Sequence, residues 1–251
     1  MAHDAVEELR EVSDTPQLDV EFILRHILPD GLLPLAAHQS EVLDDALLSS
    51  VQSLLAARKT GKPLAYVLGE WDFYGRTFHI DERVLVPRPT TEQLVDTALP
   101  HIQQMAQETR KPITIADIGT GSGCVAITLL LEAPDYIQQI YATDISKDAL
   151  LVARKNAERH NVLEKISFVT GDLLSPIAPF NIDLLVSNPP YVPTAELEQA
   201  ASNIHTNGLT FEPRIALDGG KDGNDAVRKL LASPLPAIFE GKNGEIYQHN
   251  I

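Results

Sequence analysis

Two periodicities divide the chain. Up to about residue 62 apolar positions recur at helical spacing, and from about residue 111 short apolar runs alternate with longer amphipathic ones. In the first region Thr15-Pro16 predicts a helix start, because proline is tolerated at the first helical position. Leu18, Val20, Phe22, Ile23, Ile27 and Leu28 then give an apolar face, and Pro29-Asp30-Gly31 ends it. A second long helix is predicted from about Ser40, with Val42, Leu43, Ala46, Leu47, Val51, Leu54 and Leu55 at helical spacing. Gly61 and Pro63 close it after the basic turn Arg58-Lys59. Residues 1–62 thus predict a small helical domain suited to packing or partner binding.

Residues 63–90 read as extended pieces linking two domains: a β-hairpin over Trp71–Ile80, then Val84-Leu85-Val86-Pro87-Arg88-Pro89, with a helix capped at Thr90 or Thr91 and running to about Gln107. Beyond Lys111 strands are predicted at 113–118, 139–145, 166–170 and 182–187, helices at 122–131, 147–161 and 225–231, and the start of a fifth strand at 244–247. This alternation predicts an α/β domain, a parallel sheet with helices on both faces.

Composition narrows the setting. A chain of 251 residues with 44% hydrophobic and 22% charged residues can bury one large core and a smaller one. No apolar run approaches the ~20 residues a membrane span needs, and the acidic start Met-Ala-His-Asp-Ala-Val-Glu-Glu does not resemble a signal peptide. A single cysteine, Cys124, allows no internal disulfide, so a cytoplasmic location is expected. Thirty-five acidic against 20 basic side chains give a formal charge of -15, which disfavours nucleic acid as a direct partner. His79 reads as a strand-face residue, since no metal-spaced partner lies nearby in sequence, and Cys124 reads as a small core residue.

The candidate chemistry lies at the carboxyl ends of the predicted strands. Leu184-Leu185-Val186-Ser187 runs into Asn188-Pro189-Pro190-Tyr191, where two prolines enforce a stiff extended turn. The Asn188 side-chain oxygen and the Pro189 carbonyl become fixed acceptors beside the flat Tyr191 ring, an arrangement that fits a planar NH2 group. In Asp117-Ile118-Gly119-Thr120-Gly121-Ser122-Gly123 the glycines let a ligand approach the backbone at a helix N-terminus. Their spacing, tighter than that of a dinucleotide site, points to a nucleoside without a pyrophosphate. Asp144, ending the second strand, can accept both ribose hydroxyls, and Asp172 beside apolar Leu173 can hold the edge and face of an adenine.

Together these residues resemble the S-adenosylmethionine-dependent methyltransferases of planar amine or amide nitrogens. Gly61-Lys62-Pro63-Leu64-Ala65-Tyr66-Val67-Leu68-Gly69, Phe73-Tyr74-Gly75, Val86-Pro87-Arg88-Pro89-Thr90-Thr91-Glu92 and Glu212-Pro213-Arg214-Ile215-Ala216-Leu217-Asp218-Gly219-Gly220 narrow the match. With them the chain resembles the peptide chain release factor N5-glutamine methyltransferases from about residue 16 onward. The resemblance implies a Rossmann-like catalytic domain over 91–251 that binds S-adenosylmethionine, a hairpin linker at 63–90 and a substrate-recognition domain at 1–62. The implied substrate is the glutamine of the Gly-Gly-Gln loop of class I release factors, with no metal required. Asn188, Pro189 and Tyr191 would be catalytic, and Pro190, Arg88, Pro89 and Glu92 would join them in binding substrate. Cofactor would lie on Asp117, Gly119, Thr120, Gly121, Ser122, Gly123, Asp144, Asp172, Leu173 and Asn188.

The chain departs from the family pattern at Thr90, where glutamate is usual, and the last two strands of the family's seven-stranded sheet look absent. A ribosomal-protein glutamine methyltransferase, an adenine-N6 nucleic-acid methyltransferase and a non-catalytic truncated binding protein are the alternatives.

Overall fold

The computed structural model describes residues 2–28, 44–200 and 204–251. They fall into two compact units, residues 1–69 with 199–211 and residues 70–198 with 212–251.

The first unit contains α1 (Ala2–Leu9), α2 (Pro16–Ile27), α3 (Asp45–Lys59) and α4 (Leu64–Leu68). Leu9, Val20, Ile23, Val51 and Leu55 are buried together with one polar pair. Arg58 Nε donates to Asp19 Oδ2 at 2.7 Å, while its Nη1 and Nη2 donate to the Lys62 and Val12 carbonyls. That set answers the guanidinium on three sides, which is what makes a charge tolerable in a core. Leu18 and Phe22, read from sequence as part of the apolar face, are exposed, because α2 turns Val20 and Ile23 inward instead. Asp44 caps α3 by accepting from the Leu47 N–H at 2.8 Å. The predicted stop at Pro29-Asp30-Gly31 and the predicted start near Ser40 lie outside the described residues.

The second unit opens with β1 (Glu70–Phe73) and β2 (Arg76–His79), an antiparallel hairpin. Its two-residue turn places Tyr74 and Gly75 at φ +52° and +68°, the left-handed geometry that matches strand twist. There follow α5 (Pro89–Thr109), β3 (Ile113–Ile118), α6 (Cys124–Glu132), β4 (Ile137–Asp144), α7 (Lys147–Arg159), β5 (Ile166–Thr170) and β6 (Leu184–Ser187). Then come α8 (Thr194–Ala200), α9 (Arg214–Leu217), α10 (Asp225–Leu231), β7 (Ala237–Glu240) and β8 (Ile246–His249).

The sheet order is β5-β4-β3-β6-β7-β8, parallel through β7 with β8 antiparallel at the edge. All four residues of β6 are buried, and its apolar run shows no alternation because both faces of a central parallel strand are covered. After β6 the structure has two strands where the sequence pattern predicts one. The additional β7 is only four residues long and follows Pro234 and Pro236, which read as turn signals.

The chain runs from β3 outward to β4 and β5, then returns to the other side of β3 as β6. This reversal opens a crevice at the carboxyl ends of β3 and β6, where open α/β sheets take ligands.

Candidate active site

The loop from β3 into α6 forms one wall of the crevice. Gly119 and Gly121 have φ +71° and +55°, conformations a side chain resists. A Cβ on Gly119 would meet no atom within 4 Å, so its face is open to the cavity. Beneath the loop, buried Asp117 accepts from the Thr120 hydroxyl at 2.6 Å. Burial pushes the Asp117 carboxyl up to about 6, with the Thr120 hydrogen bond opposing the rise.

Asp144, the last residue of β4, accepts the Gly121 N–H on Oδ2 at 3.0 Å and the Ser146 N–H on Oδ1 at 2.9 Å. Burial raises its pKa, against those backbone donors. Its carboxylate therefore ties two loop segments together while facing the cavity. Asp172 lies beyond β5 at the rim, its side chain well exposed and 3.6 Å from Lys229 Nζ. Leu173 beside it sits at φ +45°, a strained conformation for a leucine, and turns its side chain toward the core under β3 and β6.

At the end of β6, Asn188 Nδ2 donates to Thr91 Oγ1 at 2.8 Å, and Asn188 Oδ1 is buried with no partner. Pro189 is buried and Pro190 and Tyr191 are half-buried. The Tyr191 phenol pKa is raised, chiefly by burial and next by the charge of Glu240. Residues 217–223 hold this turn from behind: the Val192 N–H donates to the Leu217 carbonyl and the Gly219 N–H to the Val192 carbonyl, each at 2.9 Å. A Cβ on Gly219 would come within 2.8 Å of the Pro190 carbonyl oxygen, so the loop can lie this close only as glycine.

Glu212 pairs with Arg88 at 2.5 Å and accepts the Val86 N–H at 3.1 Å, which fixes the approach to α5. The Glu92 carboxylate accepts the Tyr74 N–H at 2.6 Å and so supports the hairpin turn, 18 residues back.

A cavity of about 500 Å³ joins these walls. Of the sequence candidates, Asp117, Gly119, Thr120, Gly121, Ser122, Asp144, Asp172, Leu173, Asn188 and Pro190 line it. Gly123, Pro189, Tyr191, Arg88, Pro89 and Glu92 do not. Gly123 serves packing instead, since a Cβ there would stand 3.1 Å from Ala153 Cβ, and its absence lets α6 and α7 lie close together. Cys124 is buried, with its thiol pushed up to about 12 by burial, and His79 pairs with Asp81 at 3.1 Å. Two contacts at the site do not show in the sequence, Thr91 with Asn188 and the Gly219 loop against the Asn-Pro-Pro-Tyr turn. Their residues stand there only as signature residues, because contacts across 97 residues or between backbones leave no periodicity to read.

A mostly parallel sheet, glycine loop, acidic residues after successive strands and Asn-Pro-Pro-Tyr turn together define an S-adenosylmethionine-dependent methyltransferase of the Rossmann-like class. Sequence comparison agrees: the Methyltransferase small domain family matches residues 94–208, and the PrmC N-terminal domain family matches residues 2–69. The fold compares with the hMettl16 catalytic domain solved with MAT2A 3'UTR hairpin 1, at a TM-score of 0.50 and 15% identity over 76% of this chain and 68% of that one. The release factor glutamine methyltransferase of Chlorobaculum tepidum is 40% identical over 210 residues, 81% of this chain and 69% of its own length. That of Nitratidesulfovibrio vulgaris is 37% identical over 87% of this chain and 70% of its own length. The chain belongs to the release factor glutamine methyltransferase family.

Proposed function

We propose that this protein methylates the side-chain amide nitrogen, N5, of the glutamine in the Gly-Gly-Gln loop of class I peptide chain release factors. The observation that carries the reading is Asn188 Oδ1, a buried acceptor without a partner on a residue that lines the cavity. A buried acceptor left unpaired costs about 1–3 kcal/mol, a cost that a donor from substrate removes.

The residues fit S-adenosylmethionine. The open glycine face would admit its methionine portion, the Asp144 carboxylate its ribose hydroxyls, and Asp172 with Leu173 its adenine. Bound there, the cofactor would supply a sulfonium methyl group, the methyl–nitrogen bond forming as the methyl–sulfur bond breaks, with S-adenosylhomocysteine as the leaving group and one amide proton released to solvent. An amide nitrogen is a weak nucleophile because its lone pair is delocalised into the carbonyl. The protein's part is therefore to hold both N–H groups and aim the nitrogen. We assign Asn188 Oδ1, the Pro189 carbonyl and the Tyr191 ring to that grip, the two oxygens accepting hydrogen bonds from the N–H groups and the ring packing on the amide plane, with Asn188 the one of the three that lines the cavity. Orientation and fixed dipoles supply most of the acceleration. Arg88, Pro89 and Glu92 shape the entrance through the contacts of their loop.

The net charge of -15 favours a protein substrate over nucleic acid, and the single cysteine fits work in a reducing cytoplasm. No helix among the described residues is long and apolar enough to cross a membrane. The test is Asn188→Ala, which is expected to lose methyl transfer to a release factor while binding S-adenosylmethionine as the parent does. Unchanged turnover in that variant would overturn the assignment.

A further inference from the structure

We propose that Thr91 is a positioning residue for methyl transfer: its hydroxyl anchors the nitrogen edge of the Asn188 carboxamide and leaves the oxygen edge to the acceptor amide. This deepens the function proposed above and rests on it.

The geometry is specific. Thr91 is 3% exposed and lies in the first turn of α5, where its N–H donates to the Arg88 carbonyl at 3.0 Å. Its Oγ1 accepts from Asn188 Nδ2 at 2.8 Å, across 97 residues of sequence. The other edge of the same carboxamide, Oδ1, is buried and has no partner. A carboxamide has one donor edge and one acceptor edge related by a half-turn about its last side-chain bond. With the donor edge engaged by Thr91, only the acceptor edge is left for a ligand, and an NH2 group can then be bound. Without Thr91 the Nδ2 edge loses its anchor, and the carboxamide is free to rotate away from the position in which Oδ1 meets the acceptor amide.

The contact is held in place from further out. Buried Glu212 pairs with Arg88 and accepts the Val86 N–H, so the segment entering α5 is anchored at two points just before Thr91. The Arg88-Pro89-Thr90-Thr91-Glu92 stretch thereby acquires a physical role, in which Glu212 sets the loop, the loop sets Thr91, and Thr91 sets Asn188. Neither Thr91 nor Glu212 needs to touch the reacting atoms to do this.

The experiment compares the parent protein with Thr91→Val, which keeps the shape and removes the hydroxyl, and Thr91→Ser, which keeps the hydroxyl. Each is assayed with radiolabelled S-adenosylmethionine and a class I release factor, and each is measured for cofactor affinity and thermal midpoint. The loss of one oriented hydrogen bond predicts that kcat falls about ten- to a hundredfold in Thr91→Val. Cofactor affinity should stay close to the parent's, the thermal midpoint should fall by no more than about 10 °C for the one donor left unpaired, and Thr91→Ser should restore kcat to within about threefold. Parent-like kcat in Thr91→Val would overturn the proposal, as would loss of kcat that Thr91→Ser fails to restore. Failure of the parent itself to label the release factor would instead overturn the functional reading beneath it, and the proposal with it.

Discussion

Asp117 shows how one residue ties the site to stability. It is buried at the end of β3, and the missing solvent raises its carboxyl to about 6 from an ordinary 3.8. Between those values the folded chain binds the proton that the unfolded chain has released. Stability from this group is therefore greatest below about pH 4 and falls as pH rises to about 6, by roughly 3 kcal/mol across that interval. Asp117→Asn keeps an oxygen for the Thr120 hydroxyl and removes the titration. Its thermal midpoint should gain on the parent's progressively from pH 4 to pH 7, and a difference independent of pH would contradict this origin of the effect. Most site residues of this kind are legible in the sequence because they end strands, and strand ends can be read from hydrophobic runs. Thr91 is not, since a threonine in a first helical turn looks like a cap until the fold places Asn188 beside it.

Among elements, the parallel strands and their helices follow the apolar pattern closely, while the pieces without a pattern do not show in it. Strand β7 is short and preceded by prolines, and the loop behind the Asn-Pro-Pro-Tyr turn is made of backbone contacts. That loop has a sharp requirement. A methyl group at Gly219 would lie 2.6 Å from the Gly223 carbonyl oxygen and 2.8 Å from that of Pro190, and neither can swing aside as a side chain would. Gly219→Ala is expected to cost about 1–3 kcal/mol of stability through overpacking, and to lower methyl transfer by moving the turn. Thermal unfolding with initial rates checks both; a variant matching the parent in the two would show that the loop does not set the turn. The exposed side of α2 makes the complementary point. Leu18 and Phe22 lie on positions that helical spacing marks as apolar, yet burial is decided by which neighbours a helix meets, which spacing alone does not state.

For the whole molecule, the chain forms two compact units, residues 1–69 with 199–211 and residues 70–198 with 212–251, whereas the sequence pattern divides it at about 62 and 90. One is a helical body whose buried Asp19–Arg58 pair fixes its packing, and the other is a sheet whose strand reversal opens the crevice. Fold class is legible because alternating strands and helices admit few topologies. The acceptor is legible only through the chemistry of one turn and the family to which the chain belongs. The most direct measurement is therefore of the acceptor atom. The purified protein is incubated with methyl-labelled S-adenosylmethionine and a class I release factor, beside the same factor with its Gly-Gly-Gln glutamine changed to alanine. Label on the first and none on the second is the expected result. Equal label on both, or none on either while S-adenosylmethionine binds, would contradict the assignment of that glutamine as the acceptor.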